Sequence, residues 1–98
     1  MKKPVNIGVV GGGYWGPNLM RNFRSLPDCR LRTICDISEE RLRHLRALYP
    51  EATGETKFEN MLADPEIHAV SIATSVRLHY PMAKAALLAG KHTMIEKP

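Results

Sequence analysis

Gly11, Gly13 and Gly16 stand between two segments of different period, and that junction limits the fold more than any other feature of the chain. Before it, Val5-Asn6-Ile7-Gly8-Val9-Val10 is a short β-branched run of the kind found in strands buried on both faces. After it, Trp15, Leu19, Phe23 and Leu26 recur at helical spacing until Pro27 stops them. Pro17 falls in the first turn of that helix, where its missing N–H has no intrahelical partner anyway. Each glycine has its own physical reason. Gly11 permits the tight turn out of the strand, Gly13 lets backbone approach a diphosphate with no Cβ in the way, and Gly16 lets the helix pack closely on the sheet. The helix N-terminus, with free N–H groups and partial positive charge, then faces the phosphates.

The period keeps switching downstream. Leu31 to Cys35 reads as a second strand, and Ser38 caps a helix from Glu39 to Tyr49 that Pro50 ends. Thr56 to Phe58 reads as a short third strand, followed by a brief helix over Glu59 to Ala63 closed by Asp64-Pro65. Ala69 to Ala73 is a fourth strand, His79 to Ala89 a helix capped by Gly90, and Thr93 to Ile95 a fifth strand. Alternating strands and helices require right-handed crossovers and a parallel sheet covered on both faces. The expected fold class is therefore α/β, a Rossmann-type doubly wound sheet with five strands in the order 3-2-1-4-5. There are no repeats, linkers or low-complexity tracts, so residues 1–98 read as one dinucleotide-binding domain.

Asp36 ends the second strand 20 residues after Gly16, where this geometry sets a carboxylate beside an adenosine ribose. Taken alone, the glycines could be an ordinary tight turn and Asp36 an ordinary helix-start acid. Strand, glycine turn, helix, strand and acid in that order point to a dinucleotide. S-adenosylmethionine, held by a related turn and acid, is a rival, although its turn usually lacks this glycine spacing. A flavin is compatible with the turn, but flavoproteins of this class need much more chain. Asp36 would repel a ribose 2′-phosphate and accept a hydrogen bond from a 2′-hydroxyl, so NAD is expected over NADP. Arg41, five residues on, is the complication, because it could swing towards a phosphate.

Other classes fit less well. The 98 residues are 44% hydrophobic, enough for a core without staples, and no apolar run approaches the roughly 20 residues of a membrane span. Lys2 and Lys3 resemble the start of a secretion signal, but Pro4, Asn6 and the glycines interrupt it, and a cytoplasmic location is expected. Cys29 and Cys35, on one extended strand, would lie about 20 Å apart and stay reduced. His44, His68, His79 and His92 are scattered singly, so no metal site is expected. The net charge of +4 raises nucleic acid binding, but Arg41, Arg43 and Arg46 alternate with Leu42, Leu45 and Leu48 on what reads as a solvated helix face. Neither nucleic acid nor a membrane is an expected partner.

Gly11 to Leu19, Ala73-Thr74, and Ala89-Gly90-Lys91-His92 leading to Glu96-Lys97-Pro98 resemble the Gfo/Idh/MocA oxidoreductases, the glucose-fructose oxidoreductase and inositol dehydrogenase family. The resemblance covers essentially the whole chain, but members usually continue into a substrate domain, so it implies a chain truncated before that domain. The Tyr14-Trp15-Gly16-Pro17-Asn18 form of the turn is most similar to members acting on nucleotide-linked sugars. The resemblance implies that Lys97 reaches the nicotinamide and the substrate hydroxyl, with Glu96 beside it in the signature. It also places Thr74 and His79 near the nicotinamide end. The family commonly has Pro after that threonine, where this chain has Ser75. Tyr14 is the better ligand contact of the aromatic pair, since Trp15 shares a face with Leu19 and Phe23.

The implied activity is hydride transfer between a sugar or polyol hydroxyl and NAD, with Lys97 catalytic. Gly11, Gly13, Tyr14, Trp15, Gly16, Asp36, Arg41, Thr74, His79 and Glu96 are the cofactor contacts. The fragment alone is expected to be inactive and to belong to a homo-oligomer. A non-catalytic dinucleotide-sensing module is the alternative.

Overall fold

The computed structural model describes residues 4–11 and 16–95. Within them the elements are β1 (Val5–Val10), α1 (Gly16–Ser25), β2 (Cys29–Cys35), α2 (Glu39–Leu48), β3 (Thr53–Glu55), α3 (Phe58–Leu62), β4 (Ala69–Ile72), α4 (Val76–Leu88) and β5 (His92–Ile95). The five strands form one sheet in the order β3-β2-β1-β4-β5, and every neighbouring pair is parallel. The expected order is the observed one.

Helices cover both faces because β1 alternates its side chains between two cores. Ile7 and Val9 pack with Met20 of α1 and with Leu42 and Leu45 of α2. Val10 packs on the other face with Met61 of α3 and with Ala83 and Ala86 of α4. Gly8 lies on that second face, where an added Cβ would come within 2.7 Å of the Met61 sulfur. The thioether fills the space a side chain would have used.

Several boundaries differ from the sequence expectation. The third strand is Thr53–Glu55, three residues earlier than the Thr56 to Phe58 stretch. The Glu55 carboxylate accepts the N–H groups of Thr56 and Lys57, at 3.1 and 3.0 Å, and so turns the chain out of the sheet at that point. Helix α4 begins at Val76, three residues before His79, which leaves Pro81 inside the helix. In α1 the fully buried side chain is Met20, whereas Leu26 lies past the helix end and is exposed. In α2, Leu42 and Leu45 are buried but Leu48 is exposed.

Three of the arginines are paired with carboxylates among the described residues. Arg24 pairs with Glu51 at 2.9 Å, Arg32 with Asp64 at 2.8 Å, and Arg41 with Asp36 at 3.2 Å. Arg24 also lies over the Tyr49 ring, 5.3 Å from its centroid. Cys29 and Cys35 are free thiols at opposite ends of β2. No helix among the described residues is long and apolar enough to cross a membrane.

Candidate dinucleotide site

The chain leaves β1 towards β2 and β3 on one side of the sheet, and later returns to place β4 on the other side. Loops that leave adjacent parallel strands in opposite directions open a crevice at the carboxyl edge of the sheet. Here that crevice is a cleft of about 390 Å³, within the size range of small-molecule sites.

Gly11 forms one lip of the cleft. Its φ of +94° is a left-handed conformation that side-chain-bearing residues rarely adopt, and a Cβ there would meet the Ala73 carbonyl oxygen at 2.8 Å. Its N–H donates to the Cys35 carbonyl at 2.8 Å, which extends the β1–β2 ladder to the point of departure. Gly16, at the start of α1, stands directly behind it: a Cβ on Gly16 would overlap the Gly11 carbonyl oxygen. Helix α1 is therefore seated against the turn at a distance that glycine alone allows. Both constraints fit a backbone cradle for a diphosphate.

Asp36 faces Gly11 from the end of β2, with its side chain only 3% exposed. Its backbone N–H donates to the Glu55 carbonyl at 3.0 Å. Its Oδ1 accepts the Ser38 N–H at 2.9 Å and its Oδ2 accepts from Arg41 Nη1 at 3.2 Å. Ser38 in turn caps α2, its hydroxyl accepting the Arg41 N–H at 3.2 Å. The acid is thus fixed by the same turn that starts the helix.

The remaining walls are largely apolar. Ile37 and Phe58 stand on the β2 side, and Leu78 and Met82 of α4 on the other. Cys35 lies in the floor, where burial, with the nearby Glu55 and Asp36 carboxylates, pushes its thiol up to about 12. It is an uncharged, unreactive lining group. Glu55 is held below the ordinary carboxylate range, chiefly by the Lys57 N–H, then by the Asn60 side chain and the Thr56 N–H.

Of the residues expected at the site, Gly11, Asp36, Arg41 and Thr74 line this one cleft, with Gly16 behind it. The Thr74 hydroxyl is turned to Met82, 3.5 Å from its sulfur. His79 does not line the cleft; its Nε2 lies 2.8 Å from the Thr74 carbonyl and braces the turn between β4 and α4. Gly13, Tyr14, Trp15, Glu96 and Lys97 lie outside the described residues. Sequence reasoning missed Ile37, Phe58, Leu78 and Met82, although Ile37 follows Asp36 directly and its 90% exposure marks it as a rim residue. Among the described residues no three His, Cys, Asp or Glu side chains come together as a metal site would need.

Comparison with known proteins agrees with this geometry. Residues 5–98 match the family described as "Oxidoreductase family, NAD-binding Rossmann fold". The chain belongs to the Gfo/Idh/MocA family. A glycosyl hydrolase family 109 protein of Shewanella amazonensis is 33% identical over 96% of this chain and 23% of its own length. The structure of GenD2, from gentamicin A biosynthesis and in complex with NAD, superposes with a TM-score of 0.93 at 30% identity, over 100% of this chain and 28% of its own. Biliverdin reductase from Synechocystis, with biliverdin and NADP+, gives 0.91 at 33% identity, over 98% and 30%. Scyllo-inositol dehydrogenase from Lactobacillus casei, with NAD(H) and scyllo-inositol, gives 0.90 at 27% identity, over 98% and 28%. This Gfo/Idh/MocA chain is an NAD(P)-binding Rossmann domain and spans under a third of the length of each of these proteins.

Proposed function

We propose that this chain is the cofactor-holding domain of an enzyme that moves hydride between a sugar or polyol hydroxyl and NAD. The hydroxyl compound in this reading includes nucleotide-linked sugars. The observation that carries it is Asp36, buried at the carboxyl end of β2 and facing the left-handed Gly11 across one cleft. In this reading Asp36 receives the adenosine ribose hydroxyls, the Gly11 to Gly16 turn holds the diphosphate, and Ile37, Leu78 and Met82 pack the adenine. The bound nicotinamide supplies the hydride acceptor or donor. Lys97, by family resemblance, polarises the substrate hydroxyl. A scyllo-inositol dehydrogenase among the similar structures supports a polyol as the substrate class. The free thiols fit a reducing, cytoplasmic compartment.

NAD is the preferred cofactor in this reading because a 2′-phosphate would approach the Asp36 carboxylate. The chain also self-associates in this reading, and by itself binds cofactor without turning over a sugar, since positioning the substrate supplies much of the rate. Calorimetric titration tests it. NAD should bind, and Asp36→Ala should weaken it by about 1–3 kcal/mol, the scale of hydrogen bonds to a charged group. Equal NAD affinity in the parent and the variant would sink the assignment, and steady NADH formation from a sugar would overturn the expectation that the chain is silent.

A further inference from the structure

At the end of the sheet opposite the cleft, one hydrogen bond depends on the charge of a side chain. The β1–β4 ladder begins at Ile7 and Ala69. One residue earlier, Asn6 and His68 are joined twice: the Asn6 carbonyl accepts the His68 N–H at 2.9 Å, and the Asn6 N–H donates to His68 Nδ1 at 3.0 Å. A backbone N–H only donates, so Nδ1 carries a lone pair and the ring proton is on Nε2. An imidazolium has a proton on both nitrogens and accepts at neither. The second bond therefore exists only with a neutral ring. Its loss would be felt, because Asn6 is 7% exposed and its Oδ1 already has no partner among the described residues. Asn6 Nδ2 is committed to the Glu66 carbonyl at 2.8 Å, so an abandoned Asn6 N–H would add a second unpaired group to a buried place.

We propose that His68 is a pH-sensitive latch, which ties the start of β1 to the start of β4 while its ring is neutral and lets go when the ring takes a proton. Solvent protons reach it, since His68 is exposed. The ionisable groups around it are Asp64 and Glu66 on its own segment, Lys91 and His92 where β5 begins, and Asp28 and Arg30 where β2 begins. Asp64 is paired with Arg32, Lys91 donates to the carbonyls of Asp64 and Ile67, and among the described residues no carboxylate forms an ion pair with the His68 ring. No ion pair therefore offsets the lost bond when the ring is charged. The bond exists only in the folded chain, so the contribution of the latch is whole above the histidine range and is lost as the pH falls through it. The latch acts on the fold at the far end from the cleft and stands whether or not the cleft holds a dinucleotide.

Nitrogen NMR on the parent chain tests the bond directly: a scalar coupling between the Asn6 amide nitrogen and His68 Nδ1 should be present at about pH 8 and vanish as the ring titrates. Urea denaturation tests its consequence. In His68→Asn the side-chain oxygen stands where Nδ1 was and accepts without titrating. The ratio of the parent's unfolding constant to that of His68→Asn should therefore rise by about two- to tenfold between about pH 8 and about pH 5, the span of one net hydrogen bond. The other ionisable groups are common to both proteins and cancel in that ratio. A ratio that stays constant, or a coupling that is absent at the higher pH or outlasts the titration of the ring, would overturn the latch. The coupling is read on the parent alone, and so decides the matter even where the variant folds poorly.

Discussion

Gly16 shows how a single hydrogen atom can decide stability. In an exposed helix, replacing glycine by alanine normally stabilises by about 0.5–1 kcal/mol. Here the new methyl group would lie on the carbonyl oxygen of Gly11, a residue whose N–H is already bonded to the Cys35 carbonyl of β2. Gly16→Ala should therefore destabilise the chain, by about 1–3 kcal/mol, as overpacking does. Urea denaturation checks the sign, and a variant as stable as the parent would mean that α1 is not seated on the turn as described. Both glycines were legible in the sequence by their spacing. That Gly11 is pressed against Ala73 was not, because that constraint comes from a strand far along the chain.

At the level of elements, the kind and order of every strand and helix were legible in the sequence, and the boundaries that shifted most were those of the third strand and the start of α4. The third strand is the clearest case. Thr56 to Phe58 has the higher strand propensity, but the Glu55 carboxylate captures the next two N–H groups and α2 packs over Gly54, where a Cβ would meet Arg46 Cδ at 2.6 Å. Tertiary packing therefore sets the register, and Thr56 and Phe58 become cleft lining. Helix α4 starts at Val76 rather than His79 and tolerates Pro81 in its second turn. The connection between α3 and β4 is tied to the sheet by two basic residues. Arg32 of β2 holds Asp64, and the nearly buried Lys91 donates to the carbonyls of Asp64 and Ile67 at 2.7 and 2.8 Å. The Arg32 hydrogen bond keeps the Asp64 carboxyl below its ordinary value, with the Glu66 N–H assisting. A carboxyl depressed by folding stabilises the fold above its unfolded pKa, near 3.9, and loses that contribution as pH falls through the lower folded value. The parent should therefore exceed Asp64→Asn in urea midpoint at pH 6, and the gap should close as the pH falls below about 4. A gap independent of pH would remove the charge from the explanation.

For the whole molecule, the sheet leaves two unequal edges. At one, β3 is three residues long; at the other, β5 presents Met94 and Ile95, 41% and 47% exposed. An open apolar edge is a template for further pairing. Light scattering at rising concentration should show the chain self-associating, and Ile95→Lys should return it towards monomer; a parent that stays monomeric throughout would refute self-association through this edge. The strand order has a further consequence, for synthesis rather than for binding. Gly11 and Ala73, adjoining parts of the cleft lining, are brought together by the β1–β4 pairing, and most of the chain lies between them in sequence. On a ribosome the glycine turn emerges early, yet it lacks that neighbour until β4 has left the tunnel and paired with β1. Such distant pairings form slowly. A ligand that touches both needs the paired strands, so cofactor in the surrounding solution would favour completed chains over nascent ones.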